Sequence, residues 1–186
     1  MDNGASSYRR FRDNGDESGL VEIIRDYKDG LILYLTSIVG NIQTAEELAE
    51  DTFVLLGTKK PKDKGKGSFK TWLYTIGRNI AIDYLRKAKK RRELSIEDQL
   101  ELISERDAVE AVYIKKEQQL IVRKAMRKLN PEYQQVLWLV YFEELSNKEA
   151  AKVMKKSVRS IESLLYRARK SLRSQLEMEG FDYEKL

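Results

Sequence analysis

Glu46, Glu47, Glu50 and Asp51 lie within the short run "TAEELAEDTF" and share one continuous arc of a helix at 100° per residue. Carboxylates gathered on one face are the raw material of acid–base catalysis or of a site for a hard cation. Asp83 poses the same question at the edge of an apolar stripe, one turn from Asn79 and from Lys87. The rest of the composition argues against an enzyme built on either. The chain has 186 residues with no Cys and no His. That removes thiolate nucleophiles, disulfides and Cys-based metal sites, together with the commonest general base and metal ligand. No basic or aromatic pocket accompanies the acidic arc, whose other flank (Leu48, Thr52, Phe53, Leu55, Leu56) is the side that faces a core. Four like charges on one stripe repel by a few tenths of a kcal/mol per i,i+4 pair, and a basic protein partner is a physical reason to tolerate them. Asp83 is expected to order its neighbours through a hydrogen bond or ion pair.

The basic residues form two further constellations. In "GRNIAIDYLRKAKKRR" six of the seven residues from Arg86 to Arg92 are cationic. Cations at a helix C-terminus gain a little from the dipole, but six exceed any capping need. Neutralisation of several phosphates would explain the excess and predicts binding that weakens steeply with salt. Phe69, Trp72, Leu73, Ile76, Ile80 and Tyr84 form the buried stripe of the same helix, Asn79 sits at its margin, and Thr75, Arg78 and Arg86 project elsewhere. Near the C-terminus a short helix, a tight turn and a longer helix are the parts of a helix-turn-helix, whose second helix enters the DNA major groove. Ile161, Leu164, Leu165, Ala168 and Leu172 make its core face; the opposite arc carries Arg159, Ser163, Tyr166, Arg167, Lys170 and Arg173, with Ser160 and Glu162 at the margins. Ala151 in the first helix is small enough for the close crossing that the motif needs. A good bidentate contact from such a face discriminates between bases by about 1–3 kcal/mol.

The elements that must position these residues are all helical. Only two prolines occur, and apolar residues recur at helical spacing almost throughout. After a polar N-terminal tail (1–17), Leu20 to Ile38 keep one apolar face through a long helix ending near Gly40. Thr44 and Glu47 read as a capping box for the acidic helix, expected to run to about Gly57. "GTKKPKDKGKGS" reads as a Lys-rich loop, and the helix carrying the basic stretch starts near Ser68. Residues 93–112 hold seven acids against one base, Arg106, and are expected to form a flexible acidic linker. Ile114 to Leu129 is helical in period. Asn130-Pro131 supplies an N-cap and a first-turn proline, "EYQQVLWLVYF" an apolar helix, and Ser146 with Glu149 a second capping box. The domains are therefore expected at 18–92 and 113–178, with a short C-terminal tail at 179–186. No apolar run approaches the roughly 18 residues of a membrane span. No signal-peptide pattern opens the chain, and a cytoplasmic protein is expected.

"TAEELAEDTF", "FKTWLYTIGRNIAIDYLR" and "LSNKEAAKVMKKSVRSIESLLYRARKSLR" together resemble, in order and spacing, the sigma factors of bacterial RNA polymerase, specifically the small extracytoplasmic-function group. The resemblance covers about residues 18–176. It implies an all-α protein of two small domains, region 2 and region 4, joined by a linker. It implies no cofactor, no metal and no covalent chemistry belonging to the protein itself. The implied partners are core polymerase (the clamp helices of its largest subunit and the flap region of the second-largest), promoter DNA and an anti-sigma factor. Carried over by position, Glu46, Glu47, Glu50 and Asp51 meet polymerase. Lys62, Lys64, Lys66, Ser68, Lys70, Arg78, Asn79, Arg86, Lys87, Lys90 and Arg91 meet the minus-ten element. Lys155, Lys156, Arg159, Ser160, Ser163, Tyr166, Arg167 and Lys170 meet the minus-thirty-five element. Three positions depart from the usual pattern: Lys155 stands where Gly is usual in the turn, Glu162 where Lys is frequent, and Glu50 where Gln is common. The rival readings are a conventional helix-turn-helix regulator with a helical sensor domain, and an enzyme using Asp83 or the acidic helix.

Overall fold

A computed structural model describes residues 3–63, 65, 67–94 and 117–181. Among them the chain forms eight α-helices and one π-helical turn: α1 Asn3–Asn14, α2 Glu17–Val39, α3 Ile42–Lys59, α4 Phe69–Leu94, α5 Glu117–Arg127, α6 Pro131–Leu137, the π turn Trp138–Phe142, α7 Asn147–Met154 and α8 Val158–Met178. The two expected helical regions are both present. Residues 95–112 of the expected acidic linker, Lys64, Lys66 and residues 182–186 of the C-terminal tail lie outside the described residues.

Residues 3–17 are not a polar tail. Residues 3–14 form α1, whose Tyr8 and Phe11 are buried. Tyr8 lies with its ring centroid 5.6 Å from Phe69 and 5.1 Å from Trp72, and its hydroxyl donates to the carbonyl of Pro61 at 2.8 Å. Burial pushes that phenol up to about 12. Gly19 permits the α1–α2 crossing, since a Cβ there would stand 2.2 Å from the carbonyl oxygen of Ser7. Ser7 and Arg10 then both donate to Glu22, at 2.6 and 2.5 Å. With only two aromatics in a polar run, α1 offers little apolar periodicity, and its helix depends on this tertiary packing.

α2 ends at Gly40, whose φ of +78° turns the chain, and α3 is capped by Asn41, which accepts from the Thr44 backbone N–H at 2.9 Å. The expected Thr44/Glu47 capping box is thus replaced by a cap three residues earlier. α3 also continues past Gly57 to Lys59, so the Lys-rich loop is shorter than its composition suggested. Asn130 and Pro131 open α6 as expected, but the apolar helix is interrupted. The Glu143 N–H reaches the Trp138 carbonyl at 3.1 Å, a five-residue closure, and the Trp138 and Phe142 rings stack with centroids 4.4 Å apart. Ser146 and Glu149 form the expected capping box on α7.

The two regions do not stand apart. α4 packs on α7 and α2 on α6, so that one buried cluster runs through both. Tyr74 of α4, which the apolar stripe of the sequence reading omitted, is fully buried with its ring centroid 5.4 Å from Tyr34.

Candidate nucleic-acid interface

The helix-turn-helix is built as the sequence implies. Ala150, Ala151, Val153 and Met154 of α7 are buried against Ile161, Leu164, Leu165 and Ala168 of α8. Lys155 takes φ +53° and ψ +45°, the left-handed conformation that glycine adopts without strain. The Lys156 N–H closes back on the Ala151 carbonyl at 3.0 Å, so the turn keeps its geometry without the glycine. Ser157 caps α8 by accepting from the Ser160 N–H at 3.1 Å. On the outer face Lys155, Arg159, Ser160, Ser163, Tyr166, Arg167 and Lys170 are all exposed, Tyr166 to 70 %. Lys156, Ser157, Arg159, Ser160, Ser163 and Arg167 line a shallow hollow of about 400 Å³ at the start of α8. Lys156 is half-buried and pairs with Glu132 at 3.0 Å, which ties it to α6. Glu162 is exposed on the same helix. This surface offers cations and hydroxyls along a helix whose other side is anchored, the arrangement that lets side chains reach base edges and phosphates.

The second basic surface is the C-terminal part of α4. Arg86, Lys87, Lys90 and Arg91 are exposed, and Arg86 pairs with Asp83 at 2.9 Å, the ordering role expected of that acid. Asn79 is half-buried at the margin of the helix. Arg78 is also half-buried, on the inward side beside Tyr34. Of the loop residues, Lys62 is exposed, while Lys64 and Lys66 lie outside the described residues.

Ser68 and Lys70 are held by the C-terminal region. The Ser68 hydroxyl donates to Glu149 Oε1 at 2.8 Å and Thr71 Oγ1 donates to the same oxygen at 3.1 Å. Lys70 Nζ lies 3.1 Å from Glu143 Oε2 and donates to the Glu143 carbonyl at 3.1 Å, with the Glu143 side chain only 10 % exposed. Burial raises the Glu149 pKa, but the hydrogen bonds from Ser68, Ser146 and Thr71 outweigh it and hold the carboxyl below its ordinary value. Glu143 stands beside the Tyr74 hydroxyl, whose pKa is pushed up chiefly by burial. Glu143 carries no signal in the sequence, and Glu149 reads there only as a cap. Its partners are 81 and 78 residues away in the chain, and no local pattern announces them.

The acidic surface is the outer face of α3. Glu46, Glu47, Glu50 and Asp51 are all exposed, with Lys28 of α2 4.0 Å from Glu50. Val54 continues the same stripe and is 59 % exposed, an apolar neighbour that the charge pattern concealed. All four acids are open to solvent, so they present charge to a surface.

Two family models match the chain: Sigma-70 region 2 over residues 23–91 and Sigma-70 region 4 over residues 119–172. Among curated relatives, the ECF RNA polymerase sigma factor SigM of Bacillus subtilis is 32% identical over 154 residues, covering 82% of this chain and 92% of SigM. SigW of the same organism, another ECF RNA polymerase sigma factor, is 29% identical over 170 residues, covering 87% of this chain and 91% of SigW. Two solved structures share the fold. The sigma factor RpoE in complex with the anti-sigma factor NepR from Bartonella quintana superposes with a TM-score of 0.69 at 22% identity, covering 84% of this chain and 95% of that one. CnrH in complex with the cytosolic domain of CnrY gives 0.60 at 21% identity, covering 95% and 96%.

Proposed function

The chain belongs to the extracytoplasmic-function group of RNA polymerase sigma factors, which direct the polymerase to specific promoters, and from that premise we propose how its three charged surfaces divide the work. As a transcription initiation factor it is not read as a catalyst: nucleotidyl transfer and its metal ions belong to the polymerase. The exposed acids of α3, with Val54 beside them, dock on a basic surface of core polymerase, the clamp helices of the largest subunit. The outer face of α8 reads the minus-thirty-five duplex, and region 4 also meets the flap of the second-largest subunit. The Lys-rich loop, Asn79 and the basic end of α4 hold the minus-ten strand once it has opened. Extruding a base costs a few kcal/mol, which phosphate contacts from Lys62, Arg86, Lys87, Lys90 and Arg91 would offset. The protein works where the polymerase works, in the cytoplasm, and no described helix is long and apolar enough to cross a membrane. One fold neighbour is bound to the anti-sigma factor NepR and another to the cytosolic domain of CnrY, and an anti-sigma partner that covers the same surfaces is part of this reading.

The observation that carries the proposal is the separation of the three charged faces onto three helices, each with its opposite side locked in the core. Charge changes on each face should then stop a different step. Glu47→Lys with Glu50→Lys should abolish co-elution with core polymerase. Arg159→Ala with Arg167→Ala should leave co-elution intact and weaken promoter binding by the holoenzyme. Lys87→Ala with Lys90→Ala should leave both and reduce permanganate reactivity of promoter thymines. A folded protein in which all three pairs fail at the same step would refute this division.

A further inference from the structure

The Lys-rich loop leaves the core after α3 and re-enters it at Phe69, and one side chain of α1 touches both ends. The Tyr8 ring lies 5.6 Å from Phe69 and 5.1 Å from Trp72, while its hydroxyl donates to the Pro61 carbonyl at 2.8 Å. Packing on Phe69 and Trp72 needs only the ring, which phenylalanine would supply. A buried hydroxyl adds a desolvation cost that its hydrogen bond must offset, so the role of the oxygen lies at Pro61. We propose that α1, which precedes the residues matched by the region 2 model, braces the loop that holds the opened minus-ten strand, with Tyr8 as the positioning residue. The inference rests on the strand-binding reading of that loop.

The turn that opens the loop is strained, and α1 is what holds it. Lys60 takes φ +47° and ψ +49°, a left-handed conformation that is unfavourable for an L-residue, and it stands before Pro61, where an extended residue is preferred. Such a conformation persists only where its surroundings over-determine it. Lys60 Nζ lies 4.6 Å from the centroid of the Phe11 ring, and Tyr8 takes the very next carbonyl. The end of α1 also faces the charges of the loop, with Lys62 near Asp13 and Asp63 near Arg12. The brace is itself anchored away from the loop. Ser7 and Arg10 both donate to Glu22 of α2, and a Cβ at Gly19 would stand 2.2 Å from the Ser7 carbonyl oxygen. Gly4 lets the α1 backbone press on the far end of the loop, since a Cβ there would stand 2.4 Å from the Phe69 ring. A loop fixed before DNA arrives loses less freedom on binding, so the Lys62 charge is presented already in place.

Tyr8→Phe in the full-length protein keeps the ring and removes the hydroxyl. Two readouts follow it: the rate of tryptic cleavage within residues 62–70 of the free protein, and the affinity of the holoenzyme, above that of core polymerase alone, for a mixed-sequence single-stranded DNA oligonucleotide. Cleavage should quicken and affinity should fall about fivefold, equivalent to about 1 kcal/mol. Co-elution with core and binding of promoter duplex should stay at the wild-type level. Ser7→Ala is the control: it loosens α1 from Glu22 without touching the loop, and should lower the melting temperature with neither readout changed. Should Tyr8→Phe fail to fold, Phe11→Leu carries the test with the same expected signs, since it removes the ring beneath Lys60 Nζ. A variant in which either readout stays at the wild-type value, or in which both move no further than in Ser7→Ala, overturns the brace. Absence of initiation by the wild-type holoenzyme would instead count against the sigma-factor reading. The two failures are told apart because the cleavage readout needs no polymerase.

Discussion

Lys155 occupies a backbone position that suits glycine, and the substitution Lys155→Gly separates the geometry of that turn from its charge. A left-handed conformation costs an L-residue about 1–2 kcal/mol. Glycine removes that strain but loses about 0.4–1 kcal/mol through its freer unfolded chain. Lys155 is exposed and its side chain supports nothing in the core, so little else changes. The net expectation is a gain of about 0.5–1 kcal/mol, or a melting temperature higher by about 1–4 °C for a chain of this size. DNA binding should move the other way. If the Lys155 ammonium meets a phosphate, its loss lowers the slope of log K against log salt by about 0.9 and weakens binding at low salt. Calorimetry and anisotropy titrations of holoenzyme on a promoter duplex at several salt concentrations read both quantities. Lys155→Asn is the control: it removes the charge, tolerates the conformation better than Lys and should shift the melting temperature less. A lower melting temperature for Lys155→Gly would refute the strain argument, and an unchanged salt slope would refute the phosphate contact.

Other expectations test separate parts of the account. Tyr8→Ala should cost about 3–5 kcal/mol in urea unfolding, since Tyr8 is 1% exposed among three aromatic neighbours; a loss below about 1 kcal/mol would mean that α1 is not part of the core. Val54→Ser should leave stability within about 0.5 kcal/mol yet weaken co-elution with core polymerase, and equal binding would remove Val54 from the docking face. Glu149 is held below its ordinary value of 4.5, so its contribution is present above that pH and fades as the pH falls through the lower, folded value. Melting temperatures followed from pH 6 downward should therefore fall more for wild type than for Glu149→Gln, and parallel curves would contradict the carboxylate's role.

What the sequence discloses follows the range of the interactions involved. The two helices of the DNA-reading motif, their core faces and the Ser146/Glu149 cap were legible because each is set by residues three or four apart. Periodicity likewise exposed the acidic arc of α3 and the basic end of α4. The start of α3 was misplaced because Thr44 and Glu47 imitate a capping box, whereas Asn41 follows the turn at Gly40 and does the capping. α1 was missed because two aromatics in a polar run leave no apolar stripe, and its helix rests on Phe69 and Trp72, about sixty residues downstream. Nothing local could place Lys70 against Glu143 or Ser68 against Glu149, since those pairs exist only once α4 and α7 meet.

The most direct measurement is run-off transcription with purified core polymerase and a library of promoter fragments, with transcripts mapped at their 5′ ends. The account predicts initiation at discrete sites that share upstream elements, only when both the protein and core are present, and its loss with Glu47→Lys and Glu50→Lys. A folded protein that binds core yet directs no initiation at any fragment, or one that shifts promoter duplex tightly without core, would contradict it.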